Sequence, residues 1–302
     1  MFRYFCNLVI SLKMAYSLNL GGTFYSLHEP KIMGILNFTP DSFYDRSRVS
    51  DTKTAVEKTR RMLAEGMDIL DLGAISSRPG AELPDAEEEW RRLESPLRAI
   101  VKEFPELPVS VDTFRADIAR RCADCGATII NDISGGNYDR EMFATMGALQ
   151  LPYILMHLKE KPVNMQDNPH YEDVVSDLLT YFSEKIRLAR MAGIHDIIID
   201  PGFGFAKTLE HNYRLLSHLR DFEVLDVPLL AGMSRKSMLY KLLDCSPQEA
   251  LNATTAANML ALVNGARILR VHDVKEAAQC VRIFCQYRRY HNINPDAVKK
   301  VS

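Results

Sequence analysis

Arg270 and His272 stand two residues apart at the end of an apolar, β-branched run, ARILRV at 266–271. On a strand that spacing puts both side chains on one face. Guanidinium and imidazole donors suit phosphate oxygens, so this pair, with Asn37, can hold a polyanion directly or through a divalent cation. A second set of residues is of another kind. Asp112, Asn131 and Asp200 offer carboxylates and a carboxamide, acceptors with one set of amide donors, which match a flat heterocycle bearing amino, ring N–H and carbonyl groups. Lys236 adds a donor for a ring nitrogen or carbonyl. A polyanion at one end and a hydrogen-bonding heterocycle at the other describe a bicyclic base carrying a diphosphate.

Most of these residues sit at the ends of short apolar runs. The runs are 32–37, 68–73, 108–113, 128–133, 152–157, 196–201, 228–233 and 266–271, separated by stretches of helical period such as Thr52 to Gly66 and Tyr171 to Gly193. Eight nearly continuous apolar runs, each followed by a helix, read as parallel strands buried on both faces. A closed (β/α)₈ TIM barrel is the simplest α/β solution, and it gathers the carboxyl ends of its strands at one rim. An open doubly wound sheet would want a GxGxxG turn after its first strand, which is missing. Asp71, His157 and the Ser234-Arg235-Lys236 stretch join the rim set. One strand-end Asp is often only a cap, but seven or eight polar ends converging cost desolvation that function explains more economically. Ser17 to Ser26, with Gly21-Gly22 in its middle, reads as an N-terminal β-hairpin suited to plug the opposite end.

Composition bounds the rest. Of 302 residues, 47% are hydrophobic and 25% charged, ordinary for a globular protein, and 37 basic residues against 39 acidic ones leave no overall field for nucleic acid or an anionic membrane. No run reaches the roughly 18 uninterrupted apolar residues of a membrane span. Six scattered cysteines suit a reducing cytoplasm rather than a disulfide framework, and the Cys122/Cys125 pair, inside a helical stretch, reads as packing. Met14 is a plausible alternative start, so residues 1–13 read as a disordered extension or a mis-called start, and 14–302 as a single domain. The acidic run Glu87 to Glu89 reads as a solvated helix face, His157 as a barrel-core histidine, and Phe205, flanked by glycine, as facing substrate.

With the residues set out, the chain resembles the dihydropteroate synthase family from about Ile32 to His272. IMGILNFTPDSF (32–43), DLGAISSRPGA (71–81), SVDT (110–113), INDISGG (130–136), DPGFGFAKT (200–208), GMSRKS (232–237) and RVHDV (270–274) are similar to its signatures, in family order. The resemblance implies a transferase that joins (7,8-dihydropterin-6-yl)methyl diphosphate to 4-aminobenzoate with release of pyrophosphate, a commonly dimeric enzyme and a sulfonamide target. It implies that Asp112, Asn131, Asp200 and Lys236 bind the pterin. Asn37, Arg78, Arg270 and His272 match the diphosphate positions, with Asn37 on Mg²⁺, and Asp41 and Arg78 belong to two mobile loops. Ser77, Pro79, Phe205 and Ser237 match the 4-aminobenzoate region. Asp112, Lys236, Arg270, His272, Asp41 and Arg78 are then the residues expected to carry catalysis.

Departures from the family pattern fall in those loops: Arg46-Ser47 where Gly-Gly is frequent, Ile75 where an acid or amide is common, and Ser77 for Thr. A pterin-dependent methyltransferase shares such a pocket but has no diphosphate to hold, and a non-catalytic paralogue would show decay at Asn37, Arg78 or the Arg-x-His pair. All three are intact.

Overall fold

A computed structural model describes residues 16–38, 48–74, 83–159 and 170–291. Two short strands, β1 (Ser17–Leu20) and β2 (Thr23–Ser26), form the expected antiparallel hairpin around Gly21 and Gly22, both at positive φ. Eight parallel strands follow: β3 (Lys31–Asn37), β4 (Ile69–Gly73), β5 (Val109–Asp112), β6 (Ile129–Asp132), β7 (Tyr153–Met156), β8 (Ile197–Asp200), β9 (Leu230–Ala231) and β10 (Ile268–Val271). Each neighbours the next, β10 returns to β3, and the Ile199–Leu229 bridge closes β8 onto β9. The sheet is a closed barrel. Seven of the eight expected runs contain their strands, and β3 begins one residue before its run, at Lys31.

The connecting helices are α1 (Arg48–Glu65), α2 (Ala86–Glu103), α3 (Ala116–Asp124), α4 (Met142–Leu149), α5 (Val174–Met191), α6 (Leu209–Ser217), α7 (Ser237–Tyr240), α8 (Leu251–Val263) and α9 (Val274–His291). Their starts follow from sequence: Asp85 and Asp173 accept N-terminal N–H groups of α2 and α5, and Thr208 forms a capping box with His211 on α6. Gly193 ends α5 at φ 89°, the left-handed stop expected there.

Period-two alternation sorts the strand residues. Val109, Val111, Tyr153, Leu155, Ile197 and Ile199 face outward into the main core under the helices. Met33, Ile69, Ile129, Ile154, Ile198, Leu230 and Ile268 face inward at the amino ends of seven strands and form a separate apolar layer. Leu18 and Leu27 from the hairpin region seal that layer from below, as the plug reading requires. The hairpin is also tied by Asn19 N donating to Asp196 Oδ2 at 3.1 Å. No helix among the described residues is long and apolar enough to cross a membrane.

One surface reading needs correction. Glu89 is fully buried, because it starts the stripe Glu89, Leu93, Pro96, Leu97, Ile100 that α2 turns to the barrel. Its carboxylate accepts from Arg115, which also donates to Pro84 O. Cys122 is buried and Cys125 caps α3, both free, as the packing reading expected.

Candidate active site

With the lower inward layer apolar, the next inward positions up the strands carry the polar groups. Strand register aligns Asn37 with Gly73, Gly73 with Asp112 and Asp112 with Asn131, a row across four strands at one height. Asp200 ends β8 opposite Met156. Gly73 is required by its neighbour: a Cβ there would stand 2.6 Å from Asn37 Oδ1, so the carboxamide leans across the space a side chain would fill.

Asp71, one layer below this row and fully buried, is the anchor. Its Oδ2 accepts from Arg270 Nε at 2.7 Å and from Asn131 Nδ2 at 3.3 Å, while its Oδ1 has no partner among the described residues. Arg270 Nη2 reaches Asp112 Oδ2 at 3.0 Å. Burial works against the guanidinium charge, but Asp71 and Asp112 outweigh it and hold the Arg270 pKa above its usual value. Burial lifts the Asp112 pKa to about 7, with Arg270 opposing and Asp71 adding to the rise. Asp200 is raised too, burial prevailing over the Lys236 charge, and its Oδ1 accepts from Gly202 N at 2.8 Å.

Lys236 crosses the mouth from the turn after β9. Its Nζ donates to Phe203 O at 2.5 Å and lies 4.3 Å from the centre of the Phe205 ring. Burial lowers its pKa to about 8 against the pull of Asp200. Gly204, at φ 79°, allows this crossing, since a Cβ would meet Lys236 Cδ at 3.0 Å. Phe205 is itself 91% covered, packed with Phe114, Ile133, Met156, Leu158 and Ala206 in an apolar ledge beside the lysine. Ser237 opens α7 immediately after Lys236.

His272 is exposed at the rim. Ser234 Oγ accepts from the His272 backbone N at 3.2 Å and lies 3.1 Å from its Nδ1, so the hydroxyl proton can be given to Nδ1 and Nε2 carries the ring proton. Burial of the inner edge, then the Arg270 charge, hold its pKa below the usual imidazole value. The ring presents a neutral N–H donor to the mouth.

Asn37, Asp112, Asn131, Asp200, Lys236, Arg270 and His272 are thus brought to one end of the barrel, with Phe205 and Ser237 beside them. Asp41, Arg46, Ser47, Ile75, Ser77, Arg78 and Pro79 lie outside the described residues. Arg235 departs from expectation: at φ 55° it turns away from the cup to Asp273, with nitrogens at 2.8 and 2.9 Å from its carboxylate. Asp71, already in the rim set, faces inward because it lies two residues before Gly73. Lys207 fell outside the sequence-based selection: two of its acceptors are carbonyls of its own turn, and the third, His157, comes from the end of another strand.

Among the described residues no three His, Cys, Asp or Glu gather to hold a cation. Asn37 offers one neutral oxygen, a donor set that fits Mg²⁺ only where substrate phosphates and water supply the other ligands.

The sequence profile described as pterin binding enzyme matches residues 33–272. The chain is 42% identical over 270 residues to the dihydropteroate synthase of Escherichia coli K12, covering 87% of this chain and 93% of that one. Among solved structures, the Yersinia pestis dihydropteroate synthase in a sulfonamide complex matches with a TM-score of 0.85 at 38% identity, covering 91% of this chain and all of that one. The Xanthomonas albilineans dihydropteroate synthase with 4-aminobenzoic acid matches with a TM-score of 0.84 at 36% identity, covering 91% and 98%.

Proposed function

The chain belongs to the pterin-binding enzyme family, within its dihydropteroate synthases, and from that premise we propose how its barrel mouth divides the work. The enzyme is a transferase that condenses (7,8-dihydropterin-6-yl)methyl diphosphate with 4-aminobenzoate, giving 7,8-dihydropteroate and pyrophosphate. The carrying observation is the buried Asp71–Arg270–Asp112 cluster, set beside Asn131, Asp200 and Lys236.

The pterin lies between Asp112, Asn131 and Asp200, whose oxygens accept its amino and ring N–H groups, and Lys236 donates to its ring nitrogen or carbonyl. Arg270, its head free to turn partly from Asp112, and His272 Nε2–H take the diphosphate with Asn37; Arg78 and Asp41 join them from the two loops. Asn37 would hold Mg²⁺ together with the substrate's phosphate oxygens, and the ion would supply charge neutralisation for the pyrophosphate leaving group. As the C–O bond to the diphosphate breaks, positive charge develops on the pterin methylene, and ionised Asp112 and Asp200 favour it. The amine of 4-aminobenzoate, held near Phe205, Ser237, Ser77 and Pro79, attacks that carbon, and its proton leaves to water or pyrophosphate. No protein nucleophile is needed.

The outer faces of α8 and α9 expose Leu260, Ile283, Tyr287 and Tyr290, which supports a homodimer through these helices. The five cysteines among the described residues are all free, which supports a cytoplasmic location. The direct test is pyrophosphate release from the pterin diphosphate, omitting 4-aminobenzoate or Mg²⁺ in turn. Release that needs both supports the assignment; release indifferent to aminobenzoate refutes the condensation.

A further inference from the structure

The glycine-rich turn after β8, residues 201–207, is held from two sides by two lysines. On the cup side Lys236 donates to Phe203 O at 2.5 Å. Behind the turn, Lys207 Nζ lies 3.1 Å from each of three acceptors: Gly202 O, Phe205 O and His157 Nδ1. Burial lowers the Lys207 pKa to about 7 against the pull of Asp200, and in its ammonium form the three N–H donors match the three acceptors. His157 closes β7, is buried, and packs edge-on against Tyr181 at 4.7 Å between centroids. Burial and then the Lys207 charge push its pKa down to about 2, which keeps the ring neutral with the Nδ1 lone pair toward the lysine.

The rest of the turn leaves little freedom. A Cβ at Gly202 would come 2.3 Å from His157 O, so strand end and turn touch backbone to backbone. Gly204 N donates to Asn212 Oδ1 at 2.7 Å, and Tyr171 OH donates to Ala206 O at 3.0 Å. Phe205 is carried between these fixed points, with its carbonyl on Lys207 and its ring under Lys236.

We propose that Lys207, bonded to His157, is a positioning residue for the reaction: it fixes the Phe205 ring and the Phe203 carbonyl that Lys236 grips, and so sets where the aromatic amine docks. The inference rests on reading Phe205 as part of the 4-aminobenzoate region. A lysine that only held the fold together would cost stability while leaving the two substrates equally affected.

The test is steady-state kinetics of the full-length enzyme with each substrate varied in turn, for wild type, Lys207→Met, Lys207→Arg and Phe205→Leu. Lys207→Met is expected to raise the 4-aminobenzoate KM about tenfold or more and the pterin diphosphate KM by less than about twofold, since misplacement by a fraction of an ångström is selective for what it misplaces. Lys207→Arg, which keeps charge and donors, recovers part of the loss. An equal rise in both KM values, or none, overturns the role of Lys207. Should Phe205→Leu leave the aminobenzoate KM unmoved, Phe205 leaves that region and the inference falls with it; a rise in Phe205→Leu without one in Lys207→Met overturns the lysine alone. If Lys207→Met does not fold, ¹⁵N spectra of histidine-labelled wild type decide. The Nε2–H tautomer of His157 is expected at neutral pH, and an Nδ1–H ring would show that Lys207 does not donate to it.

Discussion

Arg270 Nη2 and Asp112 Oδ2 are hydrogen-bonded to each other at 3.0 Å, and the same guanidinium is bound from below by Asp71. A residue placed on the diphosphate and a residue placed on the pterin are therefore one ion cluster in the ligand-free protein. Two carboxylates share a single guanidinium, a group held by two partners before either substrate arrives. Pterin binding and diphosphate binding cannot then be independent, because each recruits a member of the same cluster.

Asp71→Asn removes the charge beneath Arg270 and turns an amide toward its donors. Breaking a buried ion pair by altering one partner costs about 3–5 kcal/mol. The urea midpoint should fall with m unchanged, and the KM for pterin diphosphate should rise more than that for 4-aminobenzoate. An unchanged midpoint would show that Asp71 is not the anchor.

Arg270→Ala should weaken binding of the pterin diphosphate far more than binding of the free pterin, by about 2 kcal/mol, or some thirtyfold, for the lost charged hydrogen bonds. Calorimetry with the two ligands measures the difference. Equal losses would assign Arg270 to the pterin alone.

The pKa of Asp112 in the free protein, raised to about 7, makes pterin affinity dependent on pH. A ligand that donates N–H groups to this carboxyl favours its ionised form, so binding lowers the pKa and releases a proton. Affinity should therefore strengthen by about tenfold as pH rises from 6 to 8. For the free protein the sign is opposite: the folded state binds more protons than the unfolded between about 4 and 7, so this group's contribution to stability declines with pH across that window. Asp112→Asn should flatten both profiles. A binding profile that keeps its slope in that variant places the titration elsewhere.

The eight strands, the plug and the rim were legible because apolar runs, turn residues and period-two alternation are local signals. Asp112, Asn131 and Asp200 were legible by the same means, each ending its run. Partner choice is another matter. That Arg235 turns to Asp273 while its neighbour Lys236 enters the cup depends on a residue 38 positions away and on a left-handed backbone at Arg235. Glu89 looked solvated within an acidic run, yet helical phase placed it on the buried stripe with Arg115 as its counterion. Lys207 is given no role by the sequence beyond its place in DPGFGFAKT, and only the residue after β7, His157, supplies its third acceptor.

Leu27 tests the division between floor and mouth. It is completely buried in the layer with Met33, Ile69 and Ile129, at the end of the barrel opposite the cup. Leu27→Ala should cost about 2–5 kcal/mol of folding stability. Both KM values at a temperature well below the midpoint should be unchanged. A selective rise in either would mean that the hairpin end communicates with the mouth.

Gly232 tests the cup from inside. A Cβ at this position would stand 3.7 Å from Asp200 Oδ2, 3.8 Å from Arg270 Cβ and 3.9 Å from Lys236 Nζ, all ordinary contacts, so Gly232→Ala has room to fold without displacing protein atoms. Its backbone is not among those with positive φ, so no strain attends the change either. The methyl group instead occupies space between Asp200 and Lys236, both read as pterin ligands, beside the diphosphate residue Arg270. Overpacking of a fitted site costs about 1–3 kcal/mol, so pterin affinity should fall roughly tenfold or more while the thermal midpoint holds or rises slightly. A variant of native stability that binds pterin normally would mean that the ring does not lie over Gly232, and would move the heterocycle toward Asn37 and Asn131.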